Sequence, residues 1–135
     1  MHPCKPEFFI GEPGRDGGSC AAIHILAIDP LQPWPWASYS QKVPVEGGRS
    51  YRIGGWVRTA DVTGRGGACM RMEWRDPNNN ICSIESMTFL RGTNNWVYYD
   101  KKVVAPPDSV AGTIVCSMID CLGTAWYDDV SFKVE

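Results

Sequence analysis

Residues 51–74, YRIGGWVRTADVTGRGGACMRMEW, decide the fold of this chain. They contain two runs in which apolar side chains recur at every second position, joined by the glycine-rich segment 63–67. Successive side chains of a β-strand point to opposite faces of the sheet, so a period of two indicates strands. We therefore predict a pair of antiparallel strands connected by a glycine-rich turn.

Each of the two predicted strands has a core face and an outward face. Polar or aromatic side chains occupy the outward positions, namely Arg52, Trp56, Arg58, Arg71 and Glu73. A sheet face that carries charge and an aromatic ring can hold a polar ligand. The stretch thus predicts the hydrophobic core and, on the other side of the same sheet, a candidate ligand-binding face.

Length and charge limit the classes of protein to consider. A chain of 135 residues favours one domain that buries its own core. The formal net charge is −2 and the 13 Lys and Arg residues are scattered, whereas nucleic-acid binding needs a clustered basic surface. No apolar run approaches the roughly 20 residues of a membrane span. We expect a soluble domain with neither a nucleic-acid nor a membrane partner.

The six cysteines allow either disulfides or buried thiols. Structural zinc sites use closely spaced cysteine pairs, and the nearest pair here, Cys116 and Cys121, has four residues between its members and no comparable second pair. This spacing argues against zinc. A bridge between Cys4 and Cys20 is a hypothesis, because it would hold a proline-rich amino terminus that has little else to fix it.

The order of strands and turns predicts an all-β fold. Residues 1–16 are predicted as an irregular amino-terminal arm with room for a short strand at 8–10, and residues 17–135 as the folded domain. The predicted strands cover residues 20–28, 37–45, 51–58, 68–75, 81–90, 96–104, 111–119 and 124–134. Eight or nine short strands with turns about every ten residues indicate a two-sheet antiparallel β-sandwich, specifically a jelly roll.

Two tryptophans lie outside the alternating pattern. Residues 31–36, LQPWPW, cannot form a central strand because the prolines lack ladder donors, so Trp34 and Trp36 are predicted to lie in a loop. Such indoles can cap the end of the core. Rings held rigid near solvent are also what sugar rings stack on, and the residues alone leave both alternatives open.

Five motifs together resemble the carbohydrate-binding modules of families 4, 9, 16 and 22. They are YRIGGWVRT at 51–59, GACMRMEWRD at 67–76, GTNNW at 92–96, AP at 105–106 and GTAWYDDVSF at 123–132, and the resemblance covers about residues 17–134. It implies a jelly roll without catalytic activity, appended to a secreted glycoside hydrolase. It also implies that a concave sheet face or a loop edge binds a polysaccharide.

The resemblance assigns binding roles unevenly. The family-22 pattern places a tryptophan shortly before a glutamine, and Trp36 with Gln41 matches that spacing, so Trp36 is implied as a stacking platform with Trp34 beside it. The positions of the family's two tyrosines and glutamate are occupied by Ser83, Val115 and Ser117. The pattern therefore does not predict xylan as the ligand. The polar candidates that remain, expected on one face, are Arg71, Glu73 and Glu85.

The resemblance also implies a structural calcium ion. The family often binds it with an aspartate of the closing Asp-Asp-Val and with oxygens near the amino terminus; Asp128 and Asp129 supply the first part, and residues 7–11 are a loose echo of the second. We predict Asp128 as the ligand, on the expectation that it shares the inward face with Trp126 and Val130. In the alternative, one aspartate caps a turn and the other is solvated.

Three functions are compatible with the sequence. The first is non-catalytic carbohydrate binding that targets an attached glycoside hydrolase or related enzyme, as a monomer or as part of a larger multidomain protein. The second is a structural or adhesion sandwich without a sugar site, in which Trp34 and Trp36 are buried. The third is an enzyme with Glu73 and Glu85 as a carboxylate pair. We prefer the first, because it explains the tryptophans outside the core pattern, the acidic composition and the absence of a catalytic motif. The third is disfavoured because two glutamates on adjacent strands are ordinary cross-strand neighbours.

Overall fold

The computed structural model describes residues 7–11, 20–25, 36–87 and 89–135, and for 7–11 and Trp36 it describes the backbone only. Within these residues all regular structure is β-strand. The strands are β1 (Glu7–Gly11), β2 (Cys20–Ile25), β3 (Trp36–Pro44), β4 (Ser50–Arg75), β5 (Ile81–Ser86), β6 (Gly92–Val104) and β7 (Ala111–Val134). No helix of this part is long and apolar enough to cross a membrane.

The two longest strands, β4 and β7, are paired with each other along their whole length. Residues 51–60 of β4 pair with 124–134 of β7, and residues 67–75 pair with 111–119. The predicted hairpin within 51–74 is therefore wrong, and residues 111–119 and 124–134, predicted as two separate strands, also belong to one strand. In each case the two predicted strands are consecutive halves of one strand.

Each long strand must bend, because the domain is shorter than the strand. The 26 residues of β4 would extend about 86 Å at 3.3 Å per residue, whereas a compact chain of 135 residues has a radius of gyration of about 14 Å. The pairing shifts register between Ala60 and Thr63 and again between Gly64 and Gly67. The β4–β7 pair folds over at these irregularities, as expected for a jelly roll.

The fold-over produces two layers of strands. One layer has the strand order β1, β2, second half of β7, first half of β4, β6; we call it the wide layer. The other layer has the strand order β3, first half of β7, second half of β4, β5; we call it the narrow layer. Because β4 and β7 belong to both layers, hydrogen bonds connect all seven strands. Each pair of neighbouring strands is antiparallel. The predicted antiparallel jelly-roll sandwich is confirmed.

Glycines make the bend possible. A side chain on Gly66 would place its Cβ only 1.9 Å from the carbonyl oxygen of Ile119 on β7, so only glycine allows the two backbones to approach this closely. Gly64 has a φ of +133°, a conformation that residues with a side chain rarely adopt. The glycine-rich segment therefore lets a paired strand bend together with its partner, instead of reversing the chain.

The core lies between the two layers, as the alternating pattern predicted. Val57 of the wide layer and Met70 of the narrow layer belong to one buried cluster. Tyr51 and Trp74 belong to a second cluster, with ring centroids 6.4 Å apart. Trp74 is fully buried. Both halves of residues 51–74 thus direct their predicted core faces toward each other, from opposite layers.

A bulge in β7 overturns the predicted inward positions of Trp126 and Asp128. The register pairs Trp126 with Arg58 and Asp128 with Trp56, which are outward positions, whereas Tyr127 is buried in the core. Asp129 has a φ of +49° at the point where the register shifts. The irregularity breaks the alternation, so the expectation that Asp128 and Trp126 point inward is wrong.

Several predicted strands are confirmed, with small changes at their ends. β2 and β3 match the predictions at 20–28 and 37–45 as far as the structure describes them, and β6 begins earlier than predicted. β1 lies within the predicted amino-terminal arm and pairs with β2. Cys4, Trp34 and residues 26–28 lie outside the described residues, so the Cys4–Cys20 bridge stays a prediction.

Candidate functional site

Three charged side chains form a network on the outward face of the narrow layer. Arg71, Glu73 and Arg75 occupy alternate positions of β4, opposite to the core positions of the same half-strand. Nε and Nη2 of Arg71 lie 3.0 and 2.9 Å from Oε2 of Glu73, and Nη2 of Arg75 lies 3.2 Å from Oε1. Both oxygens of one carboxylate are therefore held by guanidinium groups.

The network extends to the neighbouring strand and turn. Nε of Arg75 donates to Oγ1 of Thr113 on β7 at 3.2 Å, and Nη1 donates to the carbonyl oxygen of Asn79 at 3.1 Å. The side-chain oxygen of Asn79 accepts a hydrogen bond from Nζ of Lys42 on β3 at 2.8 Å. We call Lys42, Arg71, Glu73, Arg75 and Asn79 the polar network. It connects β3, β4, β7 and the turn after β4.

The turn that carries Asn79 is itself fixed by hydrogen bonds. The carboxylate of Asp76 accepts from the backbone amides of Asn78 and Asn80 at 2.9 and 3.0 Å. Asn79 adopts a φ of +65°, which asparagine tolerates better than most residues. The Asp-Pro-Asn-Asn-Asn turn at 76–80 thus holds one partner of the polar network in place.

Glu73 is buried enough to require these partners. Its side chain is 11% exposed, and those of Arg71 and Arg75 are 17% and 22% exposed. A buried carboxylate is costly unless it is paired and hydrogen-bonded, and here each oxygen has a cationic donor. The arrangement fixes the side chains before any ligand binds, which reduces the ordering cost of binding.

Small and apolar side chains lie next to the polar network. Val115 stands opposite Arg71 and is buried, and Ser117 stands opposite Cys69 with its hydroxyl 3.3 Å from the thiol sulfur. Burial raises the pKa of the Cys69 thiol, so this sulfur is neutral and a poor nucleophile at pH 7. On β3, Ser40 stands opposite Val115 of β7. Cys69 and Ser117 are fully buried and Val115 nearly so, whereas Ser40 is exposed, so the accessible part of this face consists of the charged side chains and Ser40.

Glu85 does not lie on this face, contrary to the sequence prediction. The register places it opposite Met72, a core position, whereas Arg71 and Glu73 occupy the outward positions. Its carboxylate lies 3.3 Å from Nζ of Lys101 on β6, in the wide layer. Since β5 begins after a register irregularity at Trp74, its alternation could not be counted from the sequence. Glu73 and Glu85 therefore do not form a pair on one face.

The outward residues predicted to share one face lie on opposite sides of the sandwich. Arg52, Trp56 and Arg58 belong to the wide layer because the β4–β7 pair folds over. There, Arg52 is 2.9 Å from Asp100 and 3.0 Å from Glu135.

The outward face of the wide layer also carries aromatic contacts that the sequence does not predict. The rings of Trp56 and Tyr98 lie 4.9 Å apart, and the guanidinium of Arg58 lies 4.9 Å from the ring centre of Trp126. Each is a contact between residues directly opposite on neighbouring strands. Because such contacts require the cross-strand register, they could not be read from the sequence. Cross-strand pairs of this kind stabilise a sheet without any bound ligand.

Gln41 and Asp128 line an open cleft of about 630 Å³. Gln41 stands opposite Ile114, so it occupies an inward position of β3 and does not join the polar network. Tyr39, Val130 and Phe132 contribute to the walls, which are largely apolar. The polar network differs from this cleft in that its donors and acceptors are fixed by hydrogen bonds and lie along several strands.

The described residues do not supply a complete set of ligands for the predicted calcium ion. No three His, Cys, Asp or Glu side chains within them lie close enough together to hold a metal ion. Calcium takes six to eight oxygen ligands, so Asp128 and Asp129 would need partners elsewhere. The predicted amino-terminal ligands, at residues 7–11, lie where only the backbone is described. Calcium binding by Asp128 therefore stays a prediction.

The predicted tryptophans are located only in part. Trp36 is the first residue of β3 and stands opposite Ile119 of β7, and its side chain lies outside the description. Trp34 lies outside the described residues altogether. The prediction that 31–36 forms a loop is thus corrected at its last residue, since Trp36 begins a strand.

Buried thiols elsewhere in the core have raised pKa values. Burial raises the pKa of Cys116 to about 12 and that of Cys121 to about 11. The thiolate is the reactive form of cysteine, and at neutral pH these two residues are almost entirely protonated. Their sulfur atoms therefore act as small apolar groups of the core.

Comparison with known proteins identifies the fold. No family model matches the chain, and no curated protein matches it. The enzymatically active domain of tailspike protein 4 of bacteriophage CBA120 superposes with a TM-score of 0.73 at 13% identity, over 100% of this chain and 18% of that one. A family 4 carbohydrate-binding module gives 0.66 at 15% identity, over 98% and 79%.

A family 16 carbohydrate-binding module gives a TM-score of 0.60 at 16% identity, over 88% of this chain and 78% of that one. At these identities the likeness shows the fold: this chain has the jelly-roll sandwich of carbohydrate-binding modules. It spans less than a fifth of the phage tailspike domain. The same fold thus also occurs as a small part of a larger protein.

Proposed function

We propose that this domain binds a polysaccharide without catalysis, along the outward face of the narrow layer. The observation that carries the proposal is the polar network, in which the carboxylate of Glu73 is fixed between Arg71 and Arg75 on a sheet face. The jelly roll shared with carbohydrate-binding modules supports it. A sugar presents hydroxyl groups that both donate and accept hydrogen bonds, and this face offers donors and acceptors of fixed position.

The proposed ligand is a chain of several sugar units. Trp36 stands opposite Ile119, and Arg71 stands opposite Val115, four residues away along β7. Four residues of a strand span about 13 Å. A ligand that stacks on Trp36, with Trp34 beside it, and also reaches Arg71 therefore extends over more than one ring. Stacking of a pyranose on an indole would supply the apolar part of the affinity.

The biological role that we propose is to hold an attached catalytic domain on its polysaccharide. Modules of this fold occur joined to glycoside hydrolases; one neighbour is solved together with the xylanase module of Clostridium thermocellum. Such enzymes act on polysaccharides outside the cell, so we place this domain there. Linkage raises the effective concentration of the enzyme at its substrate without new contacts in the active site.

A glycan array followed by calorimetry tests the proposal. The array identifies a polysaccharide that binds the wild-type protein. Titration is then repeated with Arg71→Ala and with the control Glu85→Ala, which removes a charged partner on the opposite side of the narrow layer. We expect Arg71→Ala to weaken binding at least tenfold and Glu85→Ala to leave it within twofold. Equal effects of the two changes, or no binding of any glycan, would overturn the proposal.

A further inference from the structure

We propose that the polysaccharide bound by this face is acidic, with sugar carboxylates as the recognised groups. This inference rests on the proposed function and names the class of its ligand. The reason is a local surplus of positive charge. At the outward positions of the narrow layer, the charged side chains are Lys42, Arg71, Glu73 and Arg75, three cations and one anion.

This surplus contrasts with the charge of the whole chain. The formal net charge of the protein is −2. The positive groups of the narrow layer are therefore not a sample of a generally basic surface. Charges gathered on one face, with a partly buried network beneath them, attract an anionic ligand to that face.

The cations of the face are not all neutralised by their partners. Glu73 is shared by Arg71 and Arg75, so one carboxylate serves two guanidinium groups. The partner of Lys42 is the uncharged amide oxygen of Asn79. The nearby carboxylate of Asp76 keeps its negative charge, but it accepts from the turn amides of Asn78 and Asn80 and forms no ion pair with these cations in the described part of the chain. One guanidinium charge and one ammonium charge thus have no carboxylate of their own in the described part of the chain.

Arg71 is the residue best placed to bind a sugar carboxylate. It binds Glu73 through Nε and Nη2, so its second N–H edge, formed by Nη1 and Nη2, is not used by Glu73. A guanidinium binds a carboxylate by donating two parallel N–H hydrogen bonds, which gives geometric selectivity as well as charge. Because Glu73 already fixes the plane of the group, this second edge is presented in one orientation.

The wide layer provides a contrast within the same molecule. Its outward Arg52 lies between the carboxylates of Asp100 and Glu135, at 2.9 and 3.0 Å. Lys102 and Lys133 stand opposite Arg52 on the same face, so the wide layer also carries cations, but the guanidinium of Arg52 is already paired with two carboxylates. Arg52 is thus a charge-matched control for Arg71.

The test compares acidic polysaccharides with carboxyl-reduced forms of the same chains. Alginate, polygalacturonate and glucuronoxylan are each prepared native and with their carboxylates reduced to alcohols, beside the neutral polymers cellulose, mannan and galactan. Binding is measured by affinity electrophoresis and calorimetry at low and at physiological salt. We expect at least one native acidic chain to bind about tenfold or more tightly than its reduced form, and to weaken as salt rises.

Variants locate the effect. Lys42→Gln removes a cation of the face without touching Glu73, and Arg71→Gln removes the proposed carboxylate partner. Each should lower the affinity for the native acidic chain several-fold and reduce its salt dependence, whereas Arg52→Gln should change neither. Thermal melts with each variant show whether a loss of binding reflects unfolding.

The possible failures are distinguishable. Equal affinity for a native chain and its reduced form, or binding to the neutral polymers alone, would overturn the acidic ligand and leave the proposed function standing. Absence of binding to every polymer, charged or neutral, would contradict the proposed function itself.

Discussion

The guanidinium of Arg71 lies 2.9 Å from the carboxylate of Glu73, Nη2 to Oε2, although the two residues are only two positions apart on one strand. Such residues point to the same face and are separated by about 7 Å along the strand, so the Arg71 side chain has to lie flat along the sheet to reach its partner. Arg75 reaches the same carboxylate from the other side. The consequence is a rigid polar strip.

Removal of the carboxylate should cost stability. Glu73→Gln leaves Arg71 and Arg75 near each other without the anion between them, and loss of charge-assisted hydrogen bonds at partly buried groups costs about 1–3 kcal/mol. Denaturant unfolding measures the change. The control is Glu85→Gln, whose ion pair with Lys101 is more exposed and should contribute less than about 1 kcal/mol. Equal losses for the two variants would show that the polar network contributes no special stability.

The bend of the β4–β7 pair should depend on Gly66. Gly66→Ala would place a Cβ 1.9 Å from the carbonyl oxygen of Ile119, and backbone atoms cannot move aside cheaply. We expect a larger loss of stability than for Gly48→Ala, where the added Cβ meets nothing and only the φ of +82° costs about 1–2 kcal/mol. Thermal melts of both variants test this. A Gly66→Ala protein as stable as Gly48→Ala would mean that the strands do not approach so closely.

Calcium binding by Asp128 predicts a specific pattern of melting temperatures. An ion bound by the native state alone stabilises by mass action, so the wild-type protein should melt at a higher temperature in millimolar calcium than in chelator. Asp128→Ala should abolish that difference, and Asp61→Ala, an exposed aspartate on β4, should preserve it. Identical wild-type curves in calcium and chelator would end the calcium hypothesis.

Trp36 and Trp74 should respond differently to truncation. Trp74 is fully buried, and its Nε1 has no hydrogen-bond partner among the described residues, so Trp74→Ala loses apolar packing and should cost about 3–5 kcal/mol of stability. Trp36→Ala should instead lose about 1–2 kcal/mol of binding energy, roughly tenfold in affinity, with little change in stability. Denaturant melts and calorimetry on both variants decide. A Trp36→Ala protein as unstable as Trp74→Ala would identify Trp36 as a core residue.

The sequence predicted the class of fold and the core faces, but not the connection between them. Alternation in 51–74 identified Ile53 and Met70 as core residues, because the period of two is a local property. Whether the segment between them reverses the chain or bends it depends on the partner strand. The glycines are compatible with both, and only the close approach of Gly66 to Ile119 distinguishes them.

The candidate site was predictable to the same extent. Arg71 and Glu73 share a strand, so their common face followed from spacing alone. Glu85 and Asp128 lie beyond a register irregularity or a bulge, where counting positions fails. Their faces depend on backbone conformations such as the positive φ of Asp129, which no pattern of hydrophobicity records.

The most direct test of the account is the response of individual arginine side chains to a bound glycan. The Nε–Hε resonances of Arg71, Arg75 and Arg52 can be assigned by single Arg→Lys changes and followed by nuclear magnetic resonance during titration with the array-positive polysaccharide. We predict that the signals of Arg71 and Arg75, in the narrow layer, shift with the dissociation constant found by calorimetry while that of Arg52 does not. Shifts at Arg52 with none at Arg71 would place the ligand on the wide layer and contradict it.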